Sequence, residues 1–391
     1  MALNTVSSDR LSTNVKNTNF TAAEKQDLTD DILPLAGQLG NRNLIINGAM
    51  QVAQRATSIT SAAPYTSVDR FRLNHTGLNE DCTTAQADVA SGTTPYTNGF
   101  RKAFKITNGN QTAGAGAGDR IAIQYRLEAQ DIANSGWNYV SSSSYITLQF
   151  WVKSSVAQNF FGTLKTSDGT AQAYVWETGA LTANTWTKIT KTIPGNSNLQ
   201  FDNNNEQGLQ IEFTLFRGTD QTGSVTLNQW AAFNSSTHTP DNTSTWYTTD
   251  DATFELTGLQ LEVGSVATDF EHRSFAQELA LCQRYFFRVP ALGTGATSIY
   301  LGSGVETSAS SRIAFIMPRV MRAAPTVTAS NLNSDDEQST TDASTVSAVI
   351  AGSSNCDRMR IQLTGGSYSS GNAVSLVCAN ANSFLAGDAE L

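Results

Sequence analysis

Seven aromatic rings could do chemistry here without any acid or base: Trp151, Tyr174, Trp176, Trp186, Trp230, Trp246 and Tyr247. A flat ring stacks on the apolar face of a pyranose while Asn, Gln, Asp and Arg hydrogen-bond its hydroxyls, so this kind of recognition needs no shifted pKa. Trp151 is the first candidate by parity. Its segment YITLQFWVKSS already has an apolar face at Ile146, Leu148, Phe150 and Val152, which leaves Trp151 on the other side with Thr147, Gln149 and Lys153. Trp176, one residue before Glu177 in AYVWETG, is the second candidate. Against both stands the commoner role of a sandwich tryptophan, which is to fill the core.

Bond-breaking chemistry is thinner. His75, His238 and His272 stand in no HExxH or other metal spacing, and no GxSxG elbow occurs. Hydrolysis of a glycosidic bond needs only two carboxylates about 5 to 10 Å apart. Asp69, Asp119, Glu128, Glu212, Glu255 and Glu262 lie on or beside expected strands and could supply such a pair. A wet sheet face or an arginine partner accounts for them more simply, so the expectation is a protein with no catalytic residues, not an enzyme. The run AGAGAG through Gly114–Gly118 lacks the lysine and the strand-to-helix setting of a phosphate cradle and reads as a turn. Cys82, Cys282, Cys356 and Cys378 have no CxxC pair, which argues against zinc; Cys356 and Cys378 could pair, or stay reduced. No cofactor is expected. Asp250 with Asp251, and Asp202–Asn205, could hold a structural calcium ion on loop oxygens, although solvated turns explain them as well.

These groups must be carried by strands. With charged residues at only 15% and abundant Asn, Thr, Ser and Gly, the composition suits an all-β protein. The net charge of −9 repels phosphate backbones, and without a basic cluster nucleic-acid binding is not expected. No stretch is long and apolar enough for a membrane helix, and MALNTVSSDRLSTNV has neither the basic start nor the apolar run of a signal peptide. Strands are expected at Leu44–Ile46, Val68–Leu73, Phe100–Ile106, Ile121–Leu127, Tyr145–Lys153, Asn159–Lys165, Ala171–Glu177, Thr185–Ile193 and Leu209–Phe216. In Phe254–Val263 the apolar residues change parity at Gly258, as they do when a β-bulge inserts one residue. Ser274 and Gln277 then form a capping box that opens a helix. Its Phe275, Leu279, Cys282 and Phe286 step by four, three and four, a stripe that either packs on its own domain or meets copies of itself on an oligomer axis.

Residues 1–40 are a polar leader in which Thr21 and Glu24 cap a short helix through Leu28, ended by Pro34 and Gly37. The expected organisation is this leader, an antiparallel jelly-roll sandwich over 41–272, a connecting helix over 273–287 and a smaller β domain over 288–391. Strand-like pieces in the last part are Ile299–Leu301, Ile313–Met317, Thr326–Ala329, Ser347–Ile350, Arg358–Leu363 and Val374–Ala379.

Two segments, NRNLIINGAMQVAQR near residue 41 and TGLQLEVGSVATDFEHRSFAQELALCQRYF from Thr257, resemble the signature pair of a family of bacteriophage tail-fibre and receptor-binding proteins. Between them, YITLQFWVKSS with the later tryptophans resembles the jelly-roll of a carbohydrate-binding module. The resemblance spans about residues 41–287. It implies a homotrimeric virion fibre, assembled in the host cytoplasm and released at lysis. The leader would attach to tail, portal or capsid proteins, the C-terminal domain would form the tip, and the receptor would be a bacterial surface glycan or protein. An extracellular polysaccharide-degrading enzyme and a capsid-attached decoration fibre are the alternatives. Depolymerising spikes usually resemble long repetitive β-helices, and this sequence has no internal repeat.

Overall fold

The computed structural model describes residues 41–293, 299–336, 345–350, 356–364 and 368–391. The helix expected over Thr21–Leu28 lies outside them. Residues 43–391 form one compact unit in which the pairing is antiparallel throughout the named strands. Alternating apolar and polar side chains favour strands of this kind, each with one face turned to the core.

Two six-stranded sheets make the sandwich. In spatial order the first holds Ser58–Thr60, Thr83–Asp88, Lys102–Thr107, Thr253–Val263, Tyr145–Ser154 and Thr187–Pro194. The second holds Trp230–Ala232, Gln172–Ala180, Asn159–Thr166, Gln207–Arg217, Arg120–Glu128 and Phe71–Thr76. Ile146, Leu148, Phe150 and Val152 point inward from one sheet and meet Ile211, Phe213 and Leu215 from the other. Phe150 and Phe213 pack edge to face with centroids 4.9 Å apart, an arrangement that adds to the burial energy.

The parity change in Thr253–Val263 is a bulge, as its sequence implies. Thr257 faces Trp151 while Gln260 faces Gln149, so three steps on one strand match two on the other. Gly258 takes φ +64°, and Leu256, Leu259 and Leu261 all stay buried across the change. A strand without the extra residue would turn Leu259 and Leu261 to solvent.

Leu44–Ile46 is not a strand. The segment runs extended beside the bulged strand, with Leu44 N–H donating to Leu261 O at 2.9 Å and Leu259 N–H to Gly48 O at 3.0 Å. Buried amide side chains take the place of a ladder. Asn43 Oδ1 accepts from Ile45 N and Leu261 N, and its Nδ2 donates to Leu259 O. Asn47 sits at φ +62°, a region that Asn tolerates better than most residues, and its side chain bonds Val52 and Asp69 O. The two sequence signatures therefore meet in space. Asn43 N–H also donates to Glu271, and Asn47 N–H donates to Glu278 of the helix.

That helix spans Phe275–Cys282 and opens with the expected capping box between Ser274 and Gln277. The four-residue stripe does not survive as one surface. Phe275 is 55% exposed, Leu279 is half-buried, and Cys282 and Phe286 are buried. The helix ends before Phe286, which belongs to the strand Phe286–Val289. With period two replacing 3.6 at that point, Phe286 turns into its own chain beneath the Arg55 guanidinium, 3.6 Å above its ring.

Phe286–Val289 pairs with Phe384–Asp388, which also pairs with Thr326–Ser330 to make a three-stranded sheet. A six-stranded sheet completes this part in the order Leu332–Asp335, Ala373–Cys378, Tyr300–Glu306, Ser311–Ile316, Arg358–Thr364 and Thr345–Ile350. Its core includes Phe287, Ile313, Phe315, Met321, Ile361, Leu363 and Leu385. Cys356 and Cys378 are both free thiols.

A polar seam binds these C-terminal sheets to the sandwich. Arg70, fully buried, pairs with Glu390 and lies 3.3 Å over the Tyr285 ring. Arg55 bonds Asp388 at 2.9 Å and stands 3.8 Å from Asp69. Glu128 accepts from Arg284 at 2.8 and 2.7 Å and from the Tyr285 hydroxyl at 2.6 Å. Arg322 donates to Ala389 O and to Asn205 O.

Candidate functional site

Trp151 lies where its parity places it, on the outer face of the first sheet and half-buried. Lys188 is its direct neighbour on the edge strand, and Gln149 follows two residues back on its own strand. Lys153, also on this face, bonds Glu255 at 3.0 Å and stands 5.1 Å from the Trp186 ring. Gln149 is held rigid, because its Nε2 donates to Thr268 O at 2.6 Å and to Glu262 at 3.3 Å.

The bulge brings a second group of rings to Trp151. A Cβ at Gly258 would stand 2.7 Å from Phe100 Cζ, so only glycine lets that ring approach the strand. Phe100 packs edge-on against Phe270 at 4.8 Å, and His272 lies 5.1 Å from Phe100 and 4.8 Å from Phe270. His272 Nε2 is 3.0 Å from Asn98 O, which ties the segment after the bulged strand to the turn before Phe100. Together these residues line a cavity of about 430 Å³ with Trp151, Asn98, Gln149, Lys188 and Asp269. A lining that combines aromatic rings with amide, ammonium and carboxylate groups can stack on one sugar face and bond its hydroxyls.

Trp176 has no part in this. It is fully buried between Phe150, at 5.4 Å, and Phe213, at 5.6 Å, and is a core residue. The reason is non-local: Gly162 faces it on the adjacent strand, and a Cβ there would fall 2.0 Å from the indole. Trp246 and Tyr247 are also fully buried, and Trp230 donates its indole N–H to Pro194 O at 2.7 Å. Sequence reasoning missed Phe100, Phe270, His272 and Lys188. The signal that could have found Phe270 and His272 is the signature after Gly258, which carries both.

Each of the six candidate carboxylates is held by its own partners. Asp69 accepts from Gln54, and burial pushes its carboxyl up to about 6 against the pull of Arg55. Asp119 accepts from the Tyr247 hydroxyl at 2.8 Å. Burial would raise Glu128 and Glu212, but Arg284 with Tyr285 in the first case and Arg217 in the second hold both below the usual carboxylate range. Glu255 pairs with Lys153, and Glu262 accepts from Thr268 N–H and its hydroxyl. Among the described residues no group of three or more His, Cys, Asp or Glu converges as a metal site would require.

This is a jelly-roll β-sandwich protein with an aromatic cavity on an outer sheet face. No family model matches the sequence, and no curated protein matches it. Among solved structures it is similar to the enzymatically active domain of tailspike protein 4 from bacteriophage CBA120, at 11% identity and a TM-score of 0.29. That overlap covers 57% of this chain and 21% of the tailspike chain, about a fifth of its length. It is similar also to a putative sugar binding protein from Bacteroides thetaiotaomicron, at 10% identity and a TM-score of 0.30, covering 57% of this chain and all of the other. The N-terminal cellulose-binding domain of a Cellulomonas fimi β-1,4-glucanase matches at 10% identity and a TM-score of 0.26, covering 56% and 99%.

Proposed function

We propose that this chain is a structural and adhesive fibre protein of a bacteriophage, and that its sandwich binds a glycan of the bacterial surface in the Trp151 cavity. In this reading residues 1–40 attach it to the virion, and it acts as a homotrimer without catalysing a reaction. The observation that carries the binding part is the cavity of about 430 Å³ bounded by Trp151, Phe100 and Phe270 on an outer sheet face. The fibre part is supported by the two signature segments, whose Asn43, Asn47, Glu271 and Glu278 bond one another directly.

The test is a binding screen of the full chain against neutral oligosaccharides from host surface polysaccharide, with Trp151→Ala beside the wild type. Loss of the ring should weaken binding by about fivefold, in line with about 1 kcal/mol for an aromatic stacking contact. Equal binding by both proteins, or no binding by either, would overturn the assignment of this cavity. The same polysaccharide should yield no new reducing ends; their appearance would show an enzyme instead.

A further inference from the structure

The six-stranded C-terminal sheet leaves the outer side of its middle strands uncovered, and that side mixes apolar side chains with positive charge. Its inner side holds Ile313, Phe315, Met359, Ile361 and Leu363 in the core. Because side chains alternate along a strand, Arg312, Ala314 and Ile316 on one strand and Arg358, Arg360 and Gln362 on the next point outward. They stand in register: Arg312 beside Gln362, Ala314 beside Arg360, and Ile316 beside Arg358. At 73% Ile316 is the most exposed large apolar side chain among the described residues.

The turn that follows is anchored so that its apolar residue stays out. Met317 N–H donates to Asp357 O at 2.9 Å and Met321 N–H to Cys356 O at 2.7 Å, and both methionine side chains are buried. Between these two fixed points the chain carries Pro318, Arg319 and Val320 on the surface, with Val320 62% exposed. Ile316 and Val320 thus project from one pinned corner and have no route back to the core.

The cations at this corner are barely opposed. Arg358 Nε lies 3.7 Å from Asp357, and with side chains 71% and 45% exposed this pair contributes little. Arg312, Arg319 and Arg360 are exposed and have no acid partner among the described residues. Glu306, on the neighbouring strand, is buried and accepts from Ser369 N–H at 2.9 Å. Asp335 lies in the same row as Arg360 but four strands away, about 19 Å at ordinary strand spacing. A chain of net charge −9 therefore gathers four arginines around one carboxylate beside two projecting aliphatic side chains.

We propose that this corner docks on a lipid surface that carries anionic headgroups. Such a surface meets both needs at once: phosphates accept from the guanidinium groups, and hydrocarbon directly beneath them takes up Ile316 and Val320. Side chains that protrude from a turn, instead of lining a groove, suit entry into a soft interface. A second copy using the same face would set arginine against arginine. The corner lies in the C-terminal sheets and shares no residue with the Trp151 cavity.

The experiment is co-sedimentation of the full chain with vesicles of phosphatidylcholine, and with vesicles of equal parts phosphatidylcholine and phosphatidylglycerol, at two salt concentrations. The wild type should bind only the anionic vesicles, and less at higher salt. Each arginine close to such a surface is worth about fivefold in partitioning. Arg312→Gln with Arg360→Gln should therefore lower binding at least tenfold, while Arg312→Lys with Arg360→Lys stays within about threefold. Ile316→Ser with Val320→Ser should also lower it at least tenfold. These side chains are exposed, and thermal melting checks that each variant folds. Trp151→Ala should leave vesicle binding unchanged, so failure of this surface and failure of the glycan site are read separately. The proposal is overturned if the wild type does not bind anionic vesicles, if the glutamine or serine variant binds them equally, or if inorganic phosphate displaces the protein completely. A lower mass for the serine variant in the absence of vesicles would assign the corner to contact between copies and overturn it as well.

Discussion

Gly258→Ala tests whether the bulge builds the cavity. The new methyl would enter with φ +64°, where a residue with a Cβ pays roughly 1 to 2 kcal/mol. It would also stand 2.7 Å from Cζ and 3.1 Å from both Cε atoms of Phe100. That ring is 2% exposed and wedged against Phe270, so it has no solvent to swing into, and overpacking of this kind costs about 1 to 3 kcal/mol. The expected loss is therefore about 2 to 5 kcal/mol, read as a lower urea midpoint at unchanged m. Gly179→Ala is the control, since Gly179 has φ +74° but nothing within 4 Å of its Cβ position and should show the backbone part alone. Displacing Phe100 should also weaken glycan binding by about tenfold. A loss under about 0.5 kcal/mol with binding intact would mean that neither the bulge nor the Gly258 contact holds the ring in place.

At the seam, Glu390→Ala leaves the fully buried Arg70 guanidinium without its acid and should destabilise the protein by about 3 to 5 kcal/mol; a loss below 1 kcal/mol would mean that the pair is solvated or dispensable. Burial, and Arg217 after it, push His238 down to about 4, so the folded state keeps it neutral while the unfolded chain protonates near 6.5. Its contribution is complete above about pH 6.5 and fades as pH drops toward 4, so His238→Gln should narrow the difference in melting temperature between pH 7 and pH 5. Because the ring is partly solvated, the effect should be about 1 to 2 kcal/mol, and an unchanged difference would place His238 in solvent. Phe275→Asp should leave the folding of one chain within about 0.5 kcal/mol, because its side chain is more than half exposed, while dissociating the proposed trimer in sedimentation. A wild-type mass of one chain at micromolar concentration removes any axial role for that residue.

What could be read in the sequence followed local period. Ile146, Leu148, Phe150 and Val152 announce their strand, and the same alternation puts Trp151 outside. The Gly258 bulge was visible because eleven residues of one strand hold both parities. Thr83–Asp88 was not, since the apolar residues of TTAQAD are only Ala85 and Ala87, too small to mark a core face, and the strand is held by pairing with Lys102–Thr107. Trp176 looked like a candidate platform because its burial depends on Gly162 in the neighbouring strand. Phe286 fitted a heptad numerically, but the helix had stopped four residues earlier. The seam escaped altogether, because nothing local distinguishes Arg70 or Glu390 from surface charges.

Arg70 and Glu390 are separated by 320 positions. At about 5 to 20 residues per second, a ribosome delivers the acid about 16 to 64 s after the base. Throughout that interval the nascent sandwich holds a guanidinium whose counterion does not yet exist, and the joint with the later sheets stays open. Closing it is thus a late event on the timetable of synthesis, and a chain interrupted before residue 388 would keep a fissure there for solvent, chaperones or proteases to find.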